Sequence, residues 1–149
     1  MLKICTDFSG LDFERLCRIY GYDCAQQNRF YDYLREDFFR TKDAFYAVWV
    51  VADEYVSALR MEPFEDGYLL EAIQTVKTAR RKGYAKSLLE AVLNSRFFAN
   101  ALPVYAHIFK NNHASMELHR VCGFRQYLDY AAFIDGTVSA NACTVIWKK

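Results

Sequence analysis

Residues 69–97 constrain this chain more than any other stretch, because an apolar extended run, a basic turn and an amphipathic helix follow without a break. The helix repeats apolar residues at Ala85, Leu88, Leu89, Val92, Leu93 and Phe97, the spacing of one buried face. The turn before it gathers Lys77, Arg80, Arg81, Lys82 and Lys86 around Gly83. Five cations within ten residues, in a chain of formal net charge +1, need an anionic partner or a solvated surface. A helix N-terminus opens at the same place, with backbone N–H groups lacking intrahelical acceptors and the positive end of the helix dipole. Gly83 removes the Cβ that would stand between backbone and ligand. Together these are the parts of a phosphate-binding turn. The glycines, at 10, 21, 67, 83, 123 and 136, allow neither the paired glycines of a P-loop nor the three spaced glycines of a dinucleotide fold.

Around that unit the chain reads as strands and helices. Residues 1–7 form a short strand, and Ser9 with Asp12 marks a helix start carrying Phe13, Leu16, Cys17 and Tyr20 as far as Gly21. A second helical pattern runs through Phe30, Tyr31, Leu34 and Phe38; its many aromatics either cover the sheet or wall an acceptor pocket. Runs 44–52 and 55–62 make a hairpin across Asp53-Glu54, and Glu65-Asp66-Gly67 turns the chain into strand 69–76. Residues 104–109 are strand-like. A helix from Asn111-Asn112 then turns Ala114, Leu118, Val121 and Cys122 inward and ends at Gly123. Runs 125–134 and 143–147 close the chain as two strands around Asp135-Gly136. The strand–helix–strand unit from 69 to 109 demands one parallel pair in an otherwise antiparallel sheet. The predicted architecture is one mixed α/β domain over residues 1–149, with about six or seven strands and about four helices.

Composition narrows the class. At 149 residues, 53% hydrophobic and 25% charged, the chain can bury a sizeable core. No apolar run is long enough to span a bilayer, and the first seven residues turn polar too soon for a signal peptide. Cys5, Cys17, Cys24, Cys122 and Cys143 form no Cys-x-x-Cys pair, which suits reduced thiols in a cytoplasmic protein. Near-neutral charge argues against nucleic acid as a partner. His107, His113 and His119 fall on a strand, a turn and a helix without a ligand motif, so no metal is expected.

Arg80-Arg81-Lys82-Gly83-Tyr84-Ala85 resembles the Arg/Gln-x-x-Gly-x-Gly/Ala signature of the GNAT superfamily, the Gcn5-related N-acetyltransferases. Residues 112–124 resemble the same family's Asn-x-x-Ala/Ser…Leu-Tyr…Gly-Phe helix, through Asn112, Ser115, Leu118 and Gly123-Phe124. The motifs cover about residues 55–124, and element order carries the resemblance outside them. The resemblance implies a GNAT fold whose parallel strands splay apart around acetyl-CoA. Ile73, Gln74 and Thr75 would then pair with pantetheine. Arg80, Arg81, Lys82, Gly83, Tyr84, Ala85 and Lys86 would cradle the pyrophosphate, and Asn112 would contact the cofactor. The implied reaction is acetyl transfer to a primary amine of a small molecule, amino acid or peptide by direct attack on the thioester. Two other readings stand: transfer to a protein lysine, protein N-terminus or aminoacyl-tRNA, and coenzyme A binding without turnover.

Strand alternation puts Leu69, Glu71, Ile73 and Thr75 on one face. Glu71, a carboxylate among apolar neighbours, is the candidate general base; alternatively it pairs with Arg60. Glu62 is a rival for that role. His119 stands where the family often carries a Tyr, and is a general acid, a cofactor contact or a passive surface histidine. Tyr31, Tyr105 and His107 are candidates for the acceptor site, and Cys122 reads as a structural thiol. The run 143–147, expected at a sheet edge, leaves room for a homodimer.

Overall fold

The computed structural model describes residues 1–98 and 100–149, with Phe97 described by its backbone alone, so the expected inward side chain of Phe97 lies outside the described residues. The strands are β1 (Leu2–Cys5), β2 (Phe45–Val51), β3 (Glu54–Phe64), β4 (Gly67–Thr75), β5 (Val104–Phe109), β6 (Arg125–Leu128), β7 (Ala131–Ala132), β8 (Val138–Ser139) and β9 (Ala142–Trp147). The helices are α1 (Phe13–Tyr20), α2 (Cys24–Glu36), α3 (Tyr84–Leu93) and α4 (His113–Val121). Seven strands form one sheet in the order β1-β2-β3-β4-β5-β9-β6, and β7 with β8 makes a separate small ribbon. No described helix is long and apolar enough to cross a membrane.

Local chemistry sets the helix ends. Asp12, not Ser9, caps α1 by accepting the Arg15 N–H, and Gly21 ends it at φ 65°, where a left-handed residue is needed. Ser9 lies in a preceding 3₁₀ turn with its hydroxyl on Asp7. Asp23 and Gln26 form a reciprocal capping box at the start of α2. The sheet then separates two cores. On one face Leu88, Leu89, Val92 and Leu93 of α3 pack against Phe45, Ala47, Leu59 and Met61. On the other, Leu16, Ile19, Phe30 and Leu34 cover Tyr46, Val48 and Ala58. Each large aliphatic side chain so buried contributes about 1.5–3 kcal/mol of transfer free energy.

The parallel pair forms as expected but is short. Tyr68, Leu69 and Leu70 register with Val104, Tyr105 and Ala106, and the pairing ends there. Gly67 starts the pair at a close approach, since a Cβ there would collide with the Pro103 carbonyl oxygen, which accepts the Tyr68 N–H. Beyond Leu70, β4 carries a bulge. Arg60 faces Glu71 and Ala58 faces Gln74, so β4 spends one more residue than β3, and Ala72 takes a φ of 53°. The bulge overturns the simple alternation: Glu71 stays on the face of α1 and α2 with Arg60, whereas Ile73 packs into the α3 core and Thr75 pairs with Ser57.

Three further expectations are corrected. The run 143–147 belongs to β9, which lies between β5 and β6 and is not an edge. The run 125–134 is no continuous strand, because β6 stops at Leu128 and β7 folds onto β8. In α4, Ala114 and Val121 are exposed; Met116, Leu118 and Cys122 pack toward the core, and His119 is the buried residue.

Candidate active site

The end of the parallel pairing opens the sheet. Leu69 and Leu70 belong to opposite faces, yet both line one cavity of about 620 Å³, together with Ala106 and His107 of β5. Arg60, Glu62 and Glu71 enter it from the paired strands, and Ser115 and His119 from α4. The end of α2 and the segment after it supply Tyr33, Asp37 and Phe38, and the β7–β8 turn supplies Phe133 and Asp135.

Among the described residues, the buried side-chain N and O atoms lacking a hydrogen-bond partner are Arg60 Nε, Glu71 Oε1 and His119 Nε2. All three residues line this cavity. An orphaned buried polar atom costs about 1–3 kcal/mol, so three residues each carrying one around a single cavity set it apart from the rest of the core. The expected Arg60–Glu71 pairing exists only at 3.9 Å, and the Arg60 guanidinium also lies 5.1 Å over the Tyr33 ring. Burial, reinforced by the Glu62 carboxylate, pushes the Glu71 carboxyl up to about 8, and Arg60 only partly offsets this.

His119 is 2% exposed, which removes the reading as a surface histidine. Its Nδ1 lies 2.7 Å from the Ser115 carbonyl oxygen. A carbonyl can only accept, so Nδ1 carries the hydrogen and the neutral ring presents a bare lone pair at Nε2. Burial lowers its pKa and keeps it in that neutral form.

A second groove meets the cavity at Ile73 and Ser115 and runs past Gln74, Thr75 and the basic turn. Gly83 has φ 80° with nothing within 4 Å of where a Cβ would stand, and no side chain caps α3. The first-turn amides therefore face open space beside Arg80, Arg81 and Lys86, with Tyr84 and Ala85 in the same wall. Arg80 Nε donates to the Thr75 carbonyl, tying the turn to β4. Lys82 is exposed and outside the lining; Lys86 lies 3.8 Å from Glu90. Asn112 borders the groove while its Oδ1 accepts the Ser115 N–H as the cap of α4. The chemistry of these donors fits a diphosphate.

The acceptor candidates divide. His107 lines the cavity, and Tyr105 lines a neighbouring one with its hydroxyl 2.6 Å from Asp66. Tyr31 lines neither cavity: it packs against Phe8 and Phe13 on the outer side of α2. The aromatic that does reach the cavity is Tyr33, whose place three residues after buried Phe30 is the periodic signal that could have found it. Cys122 is partly buried with its thiol pushed up to about 11, as a structural cysteine should be. Among the described residues, no three His, Cys, Asp or Glu side chains gather where one metal ion could bind.

The model of the Acetyltransferase (GNAT) family matches residues 12–124. No curated protein sequence matches the chain. Several solved structures share its fold. Ribosomal-protein-S18-alanine N-acetyltransferase from Escherichia coli is 16% identical with a TM-score of 0.68, over 99% of this chain and 94% of that one. PaiA N-acetyltransferase from Thermoplasma acidophilum, solved with coenzyme A, is 11% identical with a TM-score of 0.69, over 100% and 99%. A chimera of spermidine N-acetyltransferase SpeG from Vibrio cholerae and hSSAT is 12% identical with a TM-score of 0.68, over 99% and 95%.

Proposed function

The chain belongs to the Acetyltransferase (GNAT) family, and on that footing we propose that it transfers an acetyl group from acetyl-CoA to a primary amine held in the cavity over Glu71. One observation carries the reading: Arg60, Glu71 and His119, each with an orphaned buried polar atom, line a cavity that continues into a groove beside the basic turn. The helix amides at Gly83, with Arg80, Arg81 and Lys86, would hold the diphosphate. Ile73, Gln74 and Thr75, on the β4 segment unpaired with β5, would hold the pantetheine arm, and Asn112 would border it. When bound, acetyl-CoA supplies an acyl group already activated as a thioester.

The protein's own part is to prepare the amine. An ammonium has no lone pair with which to attack, and Glu71 as carboxylate removes the proton. Its raised pKa makes it a stronger base than an ordinary glutamate and suits operation near neutral to mildly alkaline pH. His119 Nε2 accepts an N–H from the amine and orients it; to serve as a proton donor the ring would first have to be protonated, which its burial opposes. The free cysteines suit a cytoplasmic setting.

Calorimetric titration with acetyl-CoA and with NAD, followed by coenzyme A release on an amine panel, tests the reading. Saturable binding of acetyl-CoA but not NAD is expected. Glu71→Gln is expected to lower kcat about 10²–10⁴-fold with acetyl-CoA affinity unchanged, and to abolish the rise of rate with pH that Glu71 ionisation gives near pH 8. Undiminished turnover in Glu71→Gln removes it as the base.

A further inference from the structure

We propose that the acceptor is a linear di- or polyamine, with one nitrogen at Glu71 and a second, cationic nitrogen seated in an aromatic box beyond His107. The proposal rests on the acetyl-transfer reading and names the substrate class that the fold leaves open.

His107 is a wall shared by the acceptor cavity and a neighbouring one of about 400 Å³. Phe64, Tyr105 and Tyr127 wall this second cavity, and their rings meet edge to face, Phe64–Tyr105 at 5.7 Å and Tyr105–Tyr127 at 5.6 Å. Glu65 and Asp66 stand in the same lining. Asp66 accepts the Tyr105 hydroxyl through one oxygen, which leaves the other carboxylate oxygen for a ligand. Aromatic rings beside carboxylates are surroundings that favour an ammonium. Burial lowers the His107 pKa, so the shared wall adds no opposing charge.

The charge of the acceptor cavity points the same way. Asp37, Glu62 and Asp135 line it in addition to Glu71. Among the described residues, no Lys or Arg pairs with any of these three, nor with Glu65 or Asp66. The cationic side chain that enters the cavity, Arg60, is already turned to Glu71 and Tyr33. His119, 2% exposed and held neutral by burial, adds no positive charge to the cavity. A carboxylate-bearing acceptor would have Arg60 alone to meet it against the six carboxyl side chains of the two cavities.

The two cavities meet at His107, so the chain between the acceptor's nitrogens must be long enough to pass that residue, and turnover should peak at one diamine length.

The experiment uses the whole chain with α,ω-diaminoalkanes of increasing length, n-alkylamines of matched length and ω-amino acids. Coenzyme A release and calorimetric binding are measured for the wild type and for a Glu65→Gln/Asp66→Asn variant. A diamine of the matching span is expected to exceed its alkylamine by at least about tenfold in kcat/KM. The variant should lose that advantage through KM, with kcat kept and the alkylamine unaffected. Equal turnover of diamine and alkylamine, preference for the ω-amino acid, or an equal effect of the variant on both amines overturns the proposal. If no amine is acetylated, diamine binding that the variant weakens sustains the cation site while sinking the transfer reading, and absence of such binding overturns the site as well.

Discussion

At His119 a single hydrogen bond decides what the residue can do. Nδ1 is committed to the Ser115 carbonyl, so Nε2 is an acceptor buried without a partner. Such an atom is held at a cost to stability, which is the usual signature of a group kept for a ligand. His119→Phe would retain the ring beside Phe124, now 5.0 Å away centroid to centroid, and would remove the orphaned acceptor. The Ser115 carbonyl would keep its helical N–H partner. Thermal unfolding should show a Tm equal to or above the wild type, while kcat falls by about tenfold or more, in the range of a lost orienting hydrogen bond. A variant that is both destabilised and fully active would show His119 to be a packing residue. Side-chain identity at this position was legible in the sequence. Its tautomer and burial were not, because they depend on which face of α4 meets the sheet.

The β4 bulge is the element that places Glu71. Ala72 holds a positive φ that a non-glycine residue adopts only under constraint. The constraint is visible: the Tyr20 hydroxyl lies 2.9 Å from the Ala72 carbonyl and 2.7 Å from the Tyr46 hydroxyl. Tyr20 thus ties the end of α1 to the bulge that leaves Glu71 beside Arg60 and turns Ile73 to the other face. Tyr20→Phe removes that tie. It should cost about 1 kcal/mol, a Tm loss of about 2–4 °C for a chain of this size. The loss in kcat should be several-fold larger than the stability change explains, with acetyl-CoA affinity preserved. Wild-type kcat in Tyr20→Phe would show that the bulge holds itself. Strand alternation read from residue order put Glu71 and Ile73 on one face; the extra residue in the bulge could not be seen, since no glycine marks it.

For the whole molecule, Glu71 links stability to pH. Its folded pKa of about 8 lies above the ordinary 4.5, so the folded state holds this proton more tightly than the unfolded chain does. The contribution to stability is fully present below pH 4.5 and is lost as pH rises through 8. Glu71→Gln removes that dependence. Wild type and variant should have equal Tm near pH 4, and the variant should be the more stable above pH 8; parallel curves over that range would mean that Glu71 is not perturbed. The amino-acid sequence by itself determined most of the elements, the basic turn before α3 and the single parallel pair. Those follow from periodicity, glycine position and charge density within a few residues, which are local properties. Tertiary structure alone decided that β9 is interior and that Tyr33, not Tyr31, reaches the cavity. It also decided that Arg60, Glu71 and His119, from three elements, line one cavity and that each keeps a buried polar atom unpaired. Those outcomes depend on strand order, one bulge and helix rotation, which are settled by packing between segments far apart in the chain.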